Sequence, residues 1–223
     1  MAAPIMMHSA DSVSVPYAQI VRYAGILNGD VPENVSSLID KCSPVMQEAL
    51  KYKACYLETS VSISEDTVSF EYFDIKSKNL TTLLRGCDKA ILVAATAGAA
   101  ADILVKRAAV TSNAEALILN AIAIAGIEQY MFTLNSFFKE EYSEYELRPR
   151  FSPGYGDVEL SYQKELLNVL DTKRKIGVAL SDTLLMTPSK SVSAIIGIGK
   201  DGCIHIDKDC ELCNKKDCEY RLG

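Results

Sequence analysis

The segment of the sequence best suited to binding a ligand is residues 148–157, which read RPRFSPGYGD. Arg150 can bind an oxygen-rich group through the fixed fork of N–H donors on its guanidinium group. Gly154 lets the backbone approach a ligand closely because it has no Cβ, and Tyr155 offers a flat aromatic face with a hydroxyl group. The two prolines stiffen the segment and so lower the entropy lost on binding. Residues 148–157 are therefore a candidate ligand loop, although Pro-Gly pairs also form ordinary turns.

A second group of chemically capable residues lies near the C-terminus, where four of the seven cysteines follow the pattern Cys-x6-Cys-x2-Cys-x4-Cys. These four are Cys203, Cys210, Cys213 and Cys218. Four thiolates at short spacing can form a tetrahedral zinc site or hold an iron–sulfur cluster. Redox-active thiols and a tail without metal are the alternatives, because the spacing matches neither a zinc ribbon nor a common ferredoxin. Cys42, Cys55 and Cys87 lie on apolar faces and are interpreted as core residues.

The composition indicates a soluble protein with neither a membrane nor a nucleic-acid partner. The formal net charge is −6 and Lys and Arg do not cluster, whereas phosphate binding needs such a cluster. The most apolar run, residues 116–127, is too short to cross a bilayer. Residues 1–10 make a poor secretory signal, so the cysteines fit a reducing cytoplasm. We expect one domain over residues 1–200, followed by a Cys-rich tail over residues 201–223.

Helices and strands alternate in the predicted secondary structure, which is typical of an α/β (α+β) layer fold. Predicted helices cover residues 16–27, 35–50, 77–84, 99–109, 115–138 and 161–170, and predicted strands cover residues 54–63, 67–73, 89–95, 184–187 and 192–198. Residues 111–113 offer N-caps for the longest helix. Pro44 predicts a kink or a restart of the second helix, with Ser43 as its N-cap. Residues 142–158 are predicted to form an ordered loop.

Several stretches resemble the activation domain of cobalamin-dependent methionine synthase. Residues 150–155 resemble its Arg-x-x-Pro-Gly-Tyr loop, which wraps S-adenosylmethionine. Residues 185–193 resemble the Met-x-Pro-x-x-Ser-Val-Ser segment of the family, and residues 164–180 resemble the helix and connection between the two. Residues 77–80, 84–87 and 94–98 resemble segments of proteins that are stand-alone relatives of that domain. The resemblance covers residues 22–198 and implies a twisted mixed or antiparallel sheet flanked by helices.

The resemblance also implies which residues hold S-adenosylmethionine. They are Arg150, Ser152, Gly154, Tyr155, Glu144 and Glu128. Glu144 lies six residues before Arg150, where the family has an acidic ligand contact. Glu128 lies on the helix where the family places a ligand-contacting glutamate. If the alignment with the family is shifted by one helical turn, Ile124 takes this place instead. The other alternative is that Glu128 is exposed to solvent and contacts no ligand.

The function implied by the resemblance is reductive reactivation of a corrinoid methyltransferase. The related domain binds S-adenosylmethionine over oxidised cobalamin, and the methyl group is transferred once an electron donor has reduced the cobalt. The Asp-x-His-x-x-Gly cobalamin signature is absent, so a partner methionine synthase or related methyltransferase would carry the cobalamin. The alternatives are an electron-transfer protein that uses the four C-terminal cysteines and a structural adaptor. A self-contained methyltransferase is disfavoured, because the glycine-rich nucleotide fingerprint is missing.

Overall fold

The computed structural model describes residues 3–26 and 30–200. An antiparallel sheet of seven strands lies at its centre. The strands are β1 (Met6–Ala10), β2 (Tyr52–Ser64), β3 (Thr67–Phe70), β4 (Asp74–Lys76), β5 (Cys87–Thr96), β6 (Glu146–Leu147) and β9 (Ser191–Gly199). Their order is β4-β3-β2-β5-β9-β6, and β1 pairs with the first residues of β2, whereas β3 pairs with its last residues. A separate two-stranded hairpin is formed by β7 (Ala179–Leu180) and β8 (Met186–Thr187). Of the two expected arrangements, a mixed or an antiparallel sheet, the structure has the antiparallel one.

Helices cover both faces of this sheet. They are α1 (Tyr17–Tyr23), α2 (Glu33–Ala49), α3 (Lys78–Leu83), α4 (Ala99–Thr111), α5 (Asn113–Glu141), α6 (Gln163–Val169) and α7 (Thr172–Lys175). One face packs against α1, α2, α4 and α5, and the other packs against α3, α6 and the residues around α7. The predicted helix-flanked α/β fold is therefore confirmed.

The central strand β5 explains why the sheet has two cores. Its residues from Ala90 onwards are buried on both faces, as expected for a strand that lies between two others. Ile91 and Val93 pack towards α5, whereas Leu92 packs towards α6. Leu92 is paired with Leu57 of β2 on one side and with Ile195 of β9 on the other. Side chains that alternate along one strand thus contribute to both cores.

The predicted restart at Pro44 is wrong, because α2 continues through this residue. Ser43 is not an N-cap; its hydroxyl group donates a hydrogen bond to the carbonyl oxygen of Ile39 at 2.7 Å. The buried residues Ile39, Cys42 and Met46 occur on both sides of the proline in sequence. We attribute the continuity of α2 to this packing, which offsets the loss of one backbone donor.

The first helix is shorter than predicted. It ends at Tyr23, and the N–H of Gly25, whose φ is +86°, donates to the carbonyl oxygen of Arg22. Gly25 adopts the left-handed conformation that commonly ends helices. The predicted end near Leu27 lies outside the described residues, as does the tail over residues 201–223.

Helix α5 is long and apolar enough to cross a membrane by length and composition. In the structure, 61% of its most apolar window is buried inside the fold. Gly126, Tyr130 and Phe138 are among the residues that pack against the sheet and its neighbours. Length and composition are therefore weak evidence that α5 spans a membrane.

Candidate functional site

The candidate ligand loop follows the outer edge of the sheet. After β6, the N–H of Arg148 donates to the carbonyl oxygen of Gly197 at 2.8 Å. Phe151 then exchanges two backbone hydrogen bonds with Ile195, at 2.9 and 2.8 Å. The first half of the predicted loop is thus an irregular edge strand beside β9. Phe151 is buried in the core that contains α6.

The tip of the loop is a compact turn with three internal backbone hydrogen bonds. The N–H of Gly154 donates to Val158, the N–H of Val158 donates to Tyr155, and the N–H of Tyr155 donates to Ser152, at 2.9, 3.0 and 3.1 Å. Gly154 has a φ of +92°, and a Cβ built there would lie 3.2 Å from Cδ1 of Leu160. The turn therefore requires glycine for its backbone conformation.

The end of the loop is fixed to the start of α3. The carboxylate of Asp157 accepts hydrogen bonds from the hydroxyl group of Ser77 and from the N–H groups of Lys78 (2.7 Å) and Asn79 (3.3 Å). Partial burial alone would raise the pKa of Asp157, but the hydrogen bonds lower it below its ordinary value. Gly156, with a φ of +55°, packs so closely on Asn79 that a Cβ would collide with the side-chain amide.

Arg150 and Glu128 form an ion pair that bridges the loop and α5. Their Nη2 and Oε2 atoms are 3.4 Å apart, and their side chains are 24% and 37% exposed. Glu128, not Ile124, is thus the α5 side chain that meets the loop. The pair brings together the basic and the acidic residue that the sequence proposes as ligand contacts.

Tyr23, at the end of α1, joins this cluster. Burial raises the pKa of Tyr23, and the nearby Glu128 and Tyr155 raise it further, whereas Arg22 and Arg150 lower it. The phenol group therefore lies within electrostatic reach of the loop and of the ion pair. No sequence signal points to Tyr23, because the resemblance begins at Arg22 without assigning a role to α1.

The other predicted contacts are placed differently. Tyr155 is 61% exposed at the tip of the loop, and Ser152 is half-buried with its carbonyl oxygen bonded to the N–H of Tyr155. Glu144 is exposed in the turn before β6, at the end of the edge where Glu146 pairs with Gly199.

Glu144 is remote from the ion pair. Next to Arg150, Phe151 lies opposite Ile195 of β9. Near Glu144, Glu146 lies opposite Gly199, which is four residues further along β9. Four residues of a strand span about 13 Å. The structure therefore does not bring Glu144 to the Arg150–Glu128 pair, and we leave Glu144 out of the ligand site.

Two cavities lie away from this cluster. One of about 560 Å³ lies between α6, α7 and the β7–β8 hairpin, and one of about 250 Å³ lies between α2, α4 and α5. None of the predicted ligand residues lines either of them. The Arg150–Glu128 cluster is instead a partly exposed site at the edge of the sheet.

The predicted metal ligands Cys203, Cys210, Cys213 and Cys218 lie outside the described residues. Within residues 3–26 and 30–200, no group of three His, Cys, Asp or Glu side chains is arranged to hold a metal ion. Cys42, Cys55 and Cys87 are buried thiols, as predicted. Burial raises the pKa of Cys55 to about 12, which keeps this thiol protonated and unreactive.

Comparisons with known proteins agree with the resemblance seen in the sequence. Residues 127–203, about one third of the chain, match the family described as "Vitamin B12 dependent methionine synthase, activation domain". This match contains Glu128 and the whole ligand loop. No curated protein matches the chain.

Among solved structures, the fold is similar to that of the MetH reactivation domain bound to AdoHcy. The TM-score is 0.67 at 14% sequence identity, over 91% of this chain and 81% of that one. At this identity the similarity establishes the fold. Residues 127–203 are thus similar in sequence to the activation domain of vitamin B12-dependent methionine synthase, and most of the chain shares the fold of the MetH reactivation domain.

Proposed function

We propose that this protein binds S-adenosylmethionine and presents it for reductive methylation of a corrinoid carried by a partner protein. The observation that carries the proposal is the ion pair between Glu128 of α5 and Arg150, the first residue of the Arg-x-x-Pro-Gly-Tyr loop. Both lie within the region that matches the activation-domain family. The solved relative with the same fold is described as bound to AdoHcy, the demethylated form of this ligand.

The charges of the cluster fit the amino-acid end of S-adenosylmethionine. The guanidinium group of Arg150 can bind the ligand carboxylate through two N–H donors, and the carboxylate of Glu128 can bind the ligand ammonium group. A zwitterion can therefore replace the contact between the two side chains without leaving either charge unpaired. The rings of Tyr23 and Tyr155 can attract the sulfonium cation through cation–π interactions.

The exposure of the site suits transfer of a methyl group to a second molecule. In the proposed reaction, one electron from a donor protein reduces the partner's cob(II)alamin to cob(I)alamin. The reduced cobalt attacks the sulfonium methyl group, so a carbon–sulfur bond breaks, a cobalt–carbon bond forms, and S-adenosylhomocysteine is released. Cobalt is the nucleophile, so no side chain of this chain has to be one. The protein contributes positioning of the methyl group and exclusion of water once the partner has docked.

The partner would be a cobalamin-dependent methionine synthase or a related corrinoid methyltransferase in a reducing cytoplasm. The alternative role for the C-terminal cysteines, a zinc site or an iron–sulfur cluster, stays a prediction. Metal analysis of protein purified without oxygen tests it. A protein with neither iron nor zinc, in which substitution of Cys210 and Cys213 changes nothing, would exclude that alternative.

Isothermal titration calorimetry with S-adenosylmethionine and S-adenosylhomocysteine tests the proposed ligand. We expect the wild type to bind, and Arg150→Ala to bind at least about tenfold more weakly, a loss of roughly 1.4 kcal/mol. Arg174→Ala is the matched control, because Arg174 is 85% exposed and pairs with Asp171, a residue outside both the ligand loop and α5. It should bind like the wild type. Absence of binding by the wild type at millimolar ligand would refute the proposal.

A further inference from the structure

Asp157 joins the ligand loop to a rigid part of the fold through contacts with α3. Two of its donors are the first two N–H groups of α3, and the third is the hydroxyl group of the N-cap residue Ser77. Ser77 in turn accepts a hydrogen bond from the N–H of Leu80 at 2.9 Å. One carboxylate thus bonds three groups at the start of the helix, where backbone N–H groups lack partners within the helix.

The helix that receives Asp157 is itself firmly held. Leu80, Leu83 and Leu84 are fully buried in the core shared with α6 and β5. The N–H of Ser77 donates to the carbonyl oxygen of Asp66 at 2.7 Å, which fixes the start of α3 to the β2–β3 turn. A contact with α3 therefore fixes the loop relative to the sheet.

Hydrogen bonds attach the ligand loop at two points, in addition to the packing of Gly156 on Asn79. Phe151 is bonded to β9 at one end, and Asp157 is bonded to α3 at the other. The five residues between them include Ser152, Gly154 and Tyr155. Tyr155 is not part of either hydrophobic core and is mostly exposed, so burial does not fix its position. The positions of these residues relative to Arg150 depend on both attachments.

We propose that Asp157 is a positioning residue for the ligand site, acting through the turn that carries Gly154 and Tyr155. This inference rests on the proposed function, since it concerns the loop that would hold S-adenosylmethionine. Asp157 itself bonds α3 and not the ligand. Loss of its carboxylate removes the hydrogen bonds that hold this end of the turn to α3. Misplacement of a binding group by about 1 Å is enough to weaken a positioned interaction strongly.

The experiment compares Asp157→Ala with Ser112→Ala. Ser112 caps α5 by accepting from the N–H of Glu115 at 3.2 Å, so its removal also costs one helix cap but leaves the loop untouched. Two quantities are measured: the dissociation constant for S-adenosylmethionine, and hydrogen–deuterium exchange of the loop amides without ligand. The informative amides are those of Gly154, Tyr155 and Val158, which are all bonded within the turn.

We expect Asp157→Ala to weaken binding by about tenfold and to speed exchange of these amides by about tenfold, whereas Ser112→Ala should change neither. Binding by Asp157→Ala within about twofold of the wild type, with unchanged exchange, would overturn the inference. If the wild type does not bind S-adenosylmethionine, the proposed function fails. Exchange alone then decides whether Asp157 positions the loop.

If Asp157→Ala does not fold, Asp157→Asn replaces it, because asparagine keeps one acceptor oxygen for the N–H groups of α3. The same two measurements apply, with an expected change of about threefold. Wild-type affinity and wild-type exchange in Asp157→Asn would then overturn the inference.

Discussion

Arg150 and Glu128 lie 22 positions apart in the sequence, yet their charged groups meet at 3.4 Å. Arg150 belongs to the irregular strand at the edge of the sheet, and Glu128 belongs to the middle of α5. The contact therefore bridges the sheet and the helix layer. Both side chains remain partly exposed, which leaves them within reach of a ligand.

The first prediction separates the role of this pair in stability from its role in binding. A partly exposed ion pair contributes about 0–1 kcal/mol, so a double-mutant cycle of Arg150→Ala and Glu128→Ala should give a small coupling energy in urea denaturation. Each variant should nevertheless bind S-adenosylmethionine more weakly. Neither should lose affinity for 5′-methylthioadenosine, which has no amino-acid group. A coupling energy well above about 1 kcal/mol, or equal losses for both ligands, would contradict this assignment.

The second prediction concerns the turn at Gly154. Alanine at a positive φ costs about 1–2 kcal/mol, so Gly154→Ala should lower the free energy of unfolding by at least that amount. Gly177 is the matched control, because its φ is +73° and a Cβ there meets nothing within 4 Å. Gly177→Ala should lower the free energy of unfolding only by the cost of placing alanine at a positive φ.

Ligand binding distinguishes these two variants. Gly154→Ala should weaken binding of S-adenosylmethionine because its Cβ presses on Leu160 and shifts the turn, whereas Gly177→Ala should bind like the wild type. Unfolding is followed by chemical denaturation and binding by calorimetry. Equal affinity in the two variants would show that the turn at Gly154 does not hold the ligand.

Much of the fold could be predicted from local patterns. A continuous run of apolar residues predicts a strand over residues 89–95, and β5 spans Cys87–Thr96. The sequence predicts a helix over residues 115–138 with its N-cap among residues 111–113. Helix α5 begins at Asn113, directly after its N-cap Ser112. The β2–β3 hairpin follows from β-branched residues on both sides of a short polar turn, in which Glu65 has a φ of +51°.

The features that the sequence did not reveal depend on contacts between distant residues. Strand β1 was missed, although Met6 to Ala10 pair with Tyr56 to Tyr52 of β2. The edge strand around Phe151 has no strand-like pattern of its own, since its conformation is set by its bonds to Ile195. Likewise, the resemblance identified Arg150 and Glu128 separately, but only the fold shows that they meet and that Tyr23 lies within electrostatic reach of them.

The third prediction tests the packing of α5 on the sheet. Replacing an unconstrained helical glycine with alanine usually stabilises a protein by about 1 kcal/mol. A Cβ at Gly126, however, would lie 2.5 Å from the hydroxyl oxygen of Tyr52 and 3.1 Å from Cδ1 of Leu50. We therefore expect Gly126→Ala to destabilise the fold by about 1–3 kcal/mol in thermal and chemical denaturation.

Tyr52→Phe supplies the control for this prediction. It removes the hydroxyl oxygen, after which the ring carbon that carried it is the nearest Tyr52 atom, at 3.6 Å. The loss of unfolding free energy in the double variant should therefore be smaller than the sum of the losses in the two single variants, by about 1 kcal/mol or more. Additive effects would mean that α5 shifts to accommodate the methyl group without pressing on Tyr52.

The fourth prediction concerns acid and the attachment of the loop at Asp157. Partial burial opposes ionisation of Asp157, but hydrogen bonds to the carboxylate lower its pKa below the ordinary value in the folded state. Its contribution to stability is therefore complete above the pKa of the unfolded chain, about 3.9, and is lost as the pH falls through the folded pKa. The difference in unfolding free energy between the wild type and Asp157→Ala should stay constant from pH 7 to pH 5 and shrink below about pH 4.

The penalty of Ser112→Ala should not follow this pattern, because a hydroxyl group does not titrate in this range. Guanidinium denaturation of the three proteins at each pH provides the measurement, and an Asp157→Ala penalty that grows on acidification would show that the hydrogen bonds do not favour the charged carboxylate.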